Sequence, residues 1–571
     1  MKIIVGTTLL ALLILLILNK IRPAVLFGAL AGFYYVLGYL DFNTYITSYT
    51  NDSLIALVLL LCVSLSLERT TFIDYVSNFI VGKNYTFSIL KLGVIVSSIS
   101  AFLNNTAVVA SLMVAIKNNK FHAPSKLLIP LSYFAVVGGV MTLIGTSTNL
   151  IINSFVTQNG LESLKMFDFF YVGILLTIGM ILTLMIFGKL LPNYENKQQD
   201  KSEQLIMLKV SSNSPLIGKS VENANLRNLE ALFLTEIQRE QKSIIPVSRN
   251  EILNAGDILI FSGDITRLDV LNNIKGLTII ENKHKSEKID FTDVILKPNS
   301  NIIGKSPKEI NFRTNFDAAI ISMQRGNKNI KKIGQTTMQA GDRMILATSK
   351  DFNINKSVSN HFYFLSKIKQ ENKLDNKSSL LVILGFLSVI LCSSIGLLSF
   401  VKALLIYFGF LLIFRLISLD DVKRKFPFDI FIIVGSSLAI TKVLVESGLA
   451  NDLSTLIVDS FGFYGVYGSF IGVFLLTLIL TEFITNNAAA ALAFPISFAT
   501  AQSLGVNPLP FIFAVAYGAS AGFMIPHGYQ THLMVSSICN YETTDFIKIG
   551  WIASLVYSGI VICFVPIIFK F

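Results

Sequence analysis

Residues 100–106 read Ser-Ala-Phe-Leu-Asn-Asn-Thr and residues 481–487 read Thr-Glu-Phe-Ile-Thr-Asn-Asn, and the architecture of the chain follows from these two stretches. Each sets a hydroxyl residue, Ser100 or Thr481, four positions ahead of a polar cluster inside otherwise apolar sequence. The two stand 381 residues apart. Downstream, Ile144-Gly145-Thr146-Ser147-Thr148-Asn149-Leu150 is answered by His527-Gly528-Tyr529-Gln530-Thr531-His532-Leu533 at an offset of 383. Two motifs repeated in order at nearly one offset indicate that the two ends of the chain are copies of each other.

The apolar stretch after Asn105, Ala107–Ile116, meets Lys117-Asn118-Asn119-Lys120 after about a dozen residues, enough to cover about half of a ~30 Å hydrocarbon core. A re-entrant helical hairpin near 84–118 is expected, with Asn104, Asn105 and Thr106 opening and capping its second helix. The region near 465–503 reads as the second copy. Broken helices are costly in lipid because free N–H and C=O groups need partners, so breaks persist where protein or a solvated cavity supplies them. Gly145 and Pro526–Gly528, inside the apolar runs Leu127–Phe155 and Phe511–Val535, form a second pair of breaks. Four such breaks at matching places point to a binding site that offers helix N-termini to an anion and carbonyls to a cation.

Of the 571 residues, 52% are hydrophobic and 15% charged, and apolar runs such as Pro23–Leu40, Phe169–Leu190 and Ile549–Phe569 suit membrane helices. The net charge of +11 comes from Lys and Arg in the middle of the chain and in short loops. That is the pattern of cytoplasmic loops rather than of a nucleic-acid surface, so no nucleic-acid partner is expected. No polar segment combines a nucleophile, a base and an orienting group, which speaks against an enzyme.

Between about 194 and 376 the composition turns polar, and this insert is itself duplicated. Ser214-Pro-Leu-Ile-Gly-Lys-Ser220 is answered by Ser300-Asn-Ile-Ile-Gly-Lys-Ser306. Asn225-Leu226-Arg227 is answered by Asn311-Phe312-Arg313, Gln238-Arg239 by Gln324-Arg325, and Ala255-Gly256-Asp257 by Ala340-Gly341-Asp342, at an offset near 86. The order of these motifs resembles the TrkA-C module, the C-terminal module of regulators of potassium conductance. The resemblance implies small α/β domains at 203–284 and 285–370 that bind a small regulatory ligand and pair with copies of themselves. No G-x-G-x-x-G follows a strand, so no NAD site is expected.

No Arg or Lys lies within the membrane motifs, so an anion held there would lack a protein counter-charge, which bound Na⁺ would supply. Ser100, Asn104, Asn105 and Gly145 offer hard oxygen ligands for one Na⁺, and Thr481, Thr485, Asn486 and Gly528 for a second. The paired Asn-Asn-Thr and Thr-Asn-Asn tips, with "LIGTSTNL" and "GYQTHLM", resemble the signature of the divalent anion:sodium symporters, solute carrier family 13. The resemblance covers both membrane parts, 1–193 and 377–571. It implies an inverted-repeat homodimeric transporter working by an elevator mechanism. It further implies that Asn105, Thr106, Asn486 and Asn487 touch substrate, with Thr146 and Tyr529 beside them. The pattern departs from the usual Ser-Asn-Thr at Asn104, Thr485 and Asn487.

The expected fold is therefore a polytopic α-helical membrane protein of the cell membrane, with about six helices and a hairpin before the insert and about five and a hairpin after it. The N terminus and insert lie in the cytoplasm and the C terminus outside. The expected function is Na⁺-coupled symport of a small divalent anion, sulfate first and a C4-dicarboxylate second, with no cofactor besides the coupling ion. The alternative is a monovalent cation transporter or channel governed by its TrkA-C modules. Glu482 invites a proton-relay reading, but its first-half counterpart is Ala101, which favours an ion pair or a supporting role. His532 reads as a packed hydrogen-bonding group, with proton sensitivity as the alternative.

Overall fold

The structure is a computed structural model that describes residues 1–18, 21–67, 69–70, 79–194, 206–226, 232–239, 242–244, 247–263, 276–280, 289–298, 300–316, 318–325, 328–330, 333–349, 360–365, 374–539 and 541–571. Arg227 and the expected insert boundaries at 203, 284, 285 and 370 lie outside the described residues. The chain forms two units. One comprises Met1–Asn193, Glu371–Val535 and Thr543–Phe571, and the other Tyr194–Gln370 and Ser536–Glu542.

Among its described residues the first unit is built of helices, with no strand. Among the described residues, six stretches are long and apolar enough to cross a membrane: Phe42–Leu67, Phe170–Leu190, Asn376–Ser394, Phe428–Glu446, Leu449–Phe483 and Thr543–Ile568. Shorter apolar helices, including Lys2–Leu18, Pro23–Val36 and Phe400–Ile413, join them. Large apolar side chains such as Leu182, Ile186, Leu391, Ile413 and Leu555 are exposed on these helices, as a lipid-facing surface requires.

Both polar interruptions break helices where their sequences say they should. Helices Tyr85–Ser100 and Asn105–Lys117 flank the first, and Gly465–Phe483 and Asn486–Ser503 the second. The second pair differs from the first in length. Its helices hold 19 and 18 residues, about 27 Å each at about 1.5 Å per residue, because no charged residue like Lys117 ends the apolar sequence early. The other pair of breaks lies between helices Leu128–Gly139 and Ser147–Gln158, and between Leu509–Gly518 and Gln530–Cys539, the latter interval carrying a short 3₁₀ turn at Pro526–Gly528. Glycine permits the close packing around the first break: a Cβ on Gly138 would strike the Ser97 backbone, and one on Gly145 would strike the carbonyl oxygens of Gly139 and Ala101.

Among its described residues the second unit forms two five-stranded antiparallel sheets. The first is built from β1 (Ile206–Val210), β2 (Leu232–Arg239), β3 (Lys242–Ile244), β4 (Ile258–Gly263) and β5 (Leu277–Ile280) in the order β3-β2-β4-β1-β5. The second uses β6 (Ile289–Leu296), β7 (Ala318–Arg325), β8 (Lys328–Asn329), β9 (Arg343–Ser349) and β10 (Phe362–Phe364) in the equivalent order β8-β7-β9-β6-β10. The copies share fine detail. Each has a register shift in its second strand, between Leu234 and Glu236 and between Ile320 and Ser322. Arg239 donates to buried Asp257 as Arg325 does to buried Asp342, at 2.9 and 2.7 Å. The backbone N–H groups of Asn254 and Gln339 complete each carboxylate's partners. The repeated Gln-Arg and Ala-Gly-Asp pairs are therefore one structural clasp made twice.

Candidate functional site

Each of the first pair of helix breaks is tied to its own hydroxyl residue. Ser100 Oγ lies 2.8 Å from Asn105 Oδ1 and 2.8 Å from the Ala135 carbonyl. Thr481 Oγ1 lies 3.1 Å from Asn486 Oδ1 and 2.6 Å from the Ala519 carbonyl. The same triangle of hydroxyl, carboxamide and carbonyl is thus built in both halves from corresponding residues. Asn104 caps the Asn105–Lys117 helix, its side chain accepting from Thr106 N at 2.9 Å. Thr485 occupies the equivalent N-cap position of the Asn486–Ser503 helix without a side-chain cap bond.

The breaks between the other helix pairs face these triangles. Thr142 Oγ1 donates to the Ala101 carbonyl and accepts from Gly145 N at 3.1 Å, which seats Gly145 beside the first tip. Gly528 sits where an added Cβ would lie 3.3 Å from the Thr481 carbonyl and 3.9 Å from that of Glu482. Oxygen atoms from Ser100, Asn105 and the Ala101 and Gly139 carbonyls therefore gather on one side. Those of Thr481, Asn486 and the Thr481 and Ala519 carbonyls gather on the other. These are neutral, hard donors of the kind a small alkali cation takes. Among the described residues, no group of three or more His, Cys, Asp or Glu exists to hold a softer metal.

The halves are also joined across the site. Thr106 Oγ1 donates to Gln530 Oε1 at 3.4 Å, and Ser147 Oγ and Thr148 Oγ1 donate to Asn487 Oδ1 at 3.0 and 3.3 Å. Thr106 and Asn487 are corresponding tip residues, while Ser147 and Gln530 each open a helix in the opposite half. These bonds join four helix N-termini across the halves in two pairs, Asn105 with Gln530 and Ser147 with Asn486. Each carries backbone N–H groups without intrahelical partners and a partial positive charge.

Tyr529 is buried against Ser520, Thr146 and Asn486 without a hydrogen bond of ordinary length. Ser520 Oγ, Thr531 Oγ1 and Asn149 Oδ1 are likewise buried with unmet hydrogen bonds. Buried polar atoms in native proteins are nearly always paired, so these four, all on the segments that carry the second pair of breaks, leave hydrogen-bonding capacity there.

Glu482 makes no ion pair among the described residues; its two carboxylate oxygens accept from Met524 N and Ile525 N, each at 3.2 Å. It thus does for the second half what Thr142 does for the first, tying one helix break to the other. His532 is fully buried between Ser132 Oγ, 2.7 Å from Nδ1, and the Gly522 carbonyl, 3.0 Å from Nε2. Tyr133 donates to the neighbouring Phe523 carbonyl at 2.7 Å. Sequence reasoning singled out the tips and the glycines but not Ser147, Thr148, Gln530, Ser132 or Tyr133. A signal existed for the first three: they lie inside the repeated seven-residue motif.

Residues 10–518 match the model of the family described as citrate transporter (CitMHS). A Chlamydomonas reinhardtii protein whose name ties it to the sulfur deprivation response is 27% identical over 88% of this chain and 90% of its own length. An uncharacterized transporter of Synechocystis is 26% identical over 90% of the chain and 88% of its own length. Sodium/sulfate cotransporter 1 of Chlamydomonas reinhardtii is 22% identical over 61% of the chain and 41% of its own length.

Proposed function

The chain belongs to the citrate transporter family, and we propose that it is a secondary active transporter carrying a small divalent anion across the cell membrane by symport with Na⁺. Sulfate is the first substrate and a C4-dicarboxylate the second. The observation that carries this reading is the pairing of four helix N-termini across the halves beside two oxygen-lined triangles, one from each half.

The N-termini and the carboxamides of Asn105, Asn486 and Asn487, with Thr106, Thr146 and Tyr529, hold the anion. Na⁺ ions bind at the triangles, one around Ser100, Asn104, Asn105 and Gly145 and one around Thr481, Thr485, Asn486 and Gly528. They supply the counter-charge that the protein lacks: the ion pairs described in this unit, Lys2–Asp452, Arg69–Asp421 and Lys548–Asp545, involve no motif residue. Because Asn105 and Asn486 belong to both a triangle and a tip, ion and anion share ligands, and each favours binding of the other. The two helix-break-helix segments act as re-entrant hairpins in an elevator-type transport domain of a homodimer. The duplicated sheets act as TrkA-C-like cytoplasmic domains that take a regulatory ligand. The name of the sodium/sulfate cotransporter relative supports sulfate and Na⁺.

The test is uptake of labelled sulfate, succinate and citrate into liposomes holding the purified protein, with and without an inward Na⁺ gradient. Sulfate accumulation driven by the gradient is expected. Rb⁺ flux without anion uptake would replace this reading with a cation pathway.

A further inference from the structure

Asn149 and His532 are the third residues of corresponding helices, Ser147–Gln158 and Gln530–Cys539, each of which follows a break. Each side chain reaches back across its own break. Asn149 Nδ2 donates to the Thr142 carbonyl at 2.9 Å, and His532 Nε2 stands 3.0 Å from the Gly522 carbonyl. A carbonyl only accepts, so Nε2 carries the His532 proton. The ring is fully buried and neither of its hydrogen-bond partners is charged, so it is the neutral imidazole, and Ser132 Oγ donates to the bare Nδ1.

The two halves need different side chains for the same tie. The interval 519–529 is longer than its counterpart 140–146 and holds the Pro526–Gly528 turn. An imidazole carries its far N–H one bond farther from Cβ than an asparagine carboxamide does. The ring also fastens the interval to the other half. Ser132 and Tyr133, successive residues of the helix Leu128–Gly139, hold successive residues of the interval: Ser132 through His532 to Gly522, and Tyr133 directly at the Phe523 carbonyl. Asn149 has no such link, since its Oδ1 is buried without a hydrogen bond.

We propose that His532 is a positioning residue that ties Gly522 to the helix Gln530–Cys539 across the break and so sets where Tyr529 and Gln530 stand. The tie goes beyond the proposed function and rests on it for the uptake readout alone. With the tie cut, the interval 519–529 opens more often, and an anion meets a displaced Tyr529 and a displaced helix N-terminus.

The experiment compares the wild type with His532→Gln, His532→Asn and Ser132→Ala in the full chain. Backbone hydrogen exchange across 519–529 is followed in detergent, and Na⁺-driven uptake of labelled sulfate in proteoliposomes. Glutamine carries its NH₂ as far as the imidazole carries Nε2, and is expected to keep exchange and KM within about twofold of the wild type. Asparagine falls short, although the first half uses it, and is expected to speed exchange and raise KM about tenfold, the worth of one buried hydrogen bond, with kcat changed less. Ser132→Ala leaves the Gly522 bond and is expected to move both readouts in the same direction by less. Packing alone predicts that glutamine and asparagine behave alike, and that result overturns the inference. Faster exchange in His532→Asn with KM unmoved overturns the positioning role. Should both histidine variants fail to fold, Ser132→Ala decides, and unchanged exchange there overturns the tie. A wild type that moves no anion overturns the proposed function, and the exchange comparison then decides the tie by itself.

Discussion

At the scale of single residues, the site is a set of hydroxyls and carboxamides whose hydrogen-bond roles are fixed by neighbours. Ser100 and Thr481 are the pivots, each within reach of a tip asparagine and a carbonyl of a facing segment. Ser100→Ala and Thr481→Ala are each expected to raise the Na⁺ concentration for half-maximal uptake by about tenfold, the worth of one buried hydrogen bond to a charged or partly charged group. Sulfate uptake titrated against Na⁺ reads this directly. In the insert, Asp342 is fully buried and Arg325 a third exposed. Arg325→Met strands that carboxylate and should cost about 3 kcal/mol, the low end for a broken buried pair because the guanidinium is partly solvated. Thermal unfolding of the variant followed by hydrogen exchange in β7 and β9 measures it.

Sequence legibility differed sharply between these residues. Asn105, Asn486, Gly145 and Gly528 stood out because an amide or a helix-breaking glycine inside an apolar run is costly in lipid unless a site uses it, and the structure brings them to matching places. Ser147, Thr148 and Gln530 stayed hidden in their roles. Their partners lie more than 330 residues away in the other half, and no local periodicity encodes how two halves register. Glu482 read as a supporting or ion-paired carboxylate rather than a proton relay because its counterpart is Ala101, but the sequence did not show the two N–H groups it accepts from.

At the scale of elements, the helix breaks depend on close backbone approach. Gly138→Ala drives a methyl into the Ser97 backbone and should lower stability by about 1–3 kcal/mol. Gly32→Ala, in the Pro23–Val36 helix with nothing within 4 Å of the new methyl, should be neutral or mildly stabilising. Melting temperatures of the two variants in detergent separate the cases. The positions of the breaks were readable from sequence, since Asn, Thr, Gly and Pro signal helix ends. The lengths of the helices around Thr485 were not. The half-span length seen after Asn105 comes from Lys117, and the second copy has no equivalent charge to end its helices.

The second sheet carries its own pH dependence. Burial, with the Lys297 charge adding to it, pushes the His361 imidazole below its usual value of 6.5, so the folded sheet binds protons less readily than the unfolded chain does. Stability from this group is present above about pH 6.5 and is lost as pH falls toward the lowered value. Hydrogen-exchange protection of β6 and β10 should decline as pH falls below about 6.5 in the wild type, and decline less in His361→Gln.

At the scale of the whole molecule, two gene-duplicated layers coexist in one chain. The membrane halves are related at offsets of 381 and 383, and the insert copies near 86. The first duplication produces a site from both halves, and the second produces two sheets of one strand order. Family membership places the chain among transporters and leaves the solute to the site. A site of converging N-termini flanked by neutral oxygen cages suits an anion travelling with small cations. In the proposed transporter each tip asparagine serves an ion cage and the anion site, which makes the two jointly necessary. The most direct measurement is Na⁺-gradient-driven uptake of labelled sulfate by the wild type and by Asn105→Ala, Asn486→Ala and their double variant, each reconstituted at equal amounts of folded protein. Shared ion and anion ligands predict uptake in the wild type, a loss of at least tenfold in each single variant, and none above background in the double variant; uptake unchanged in the double variant would contradict them.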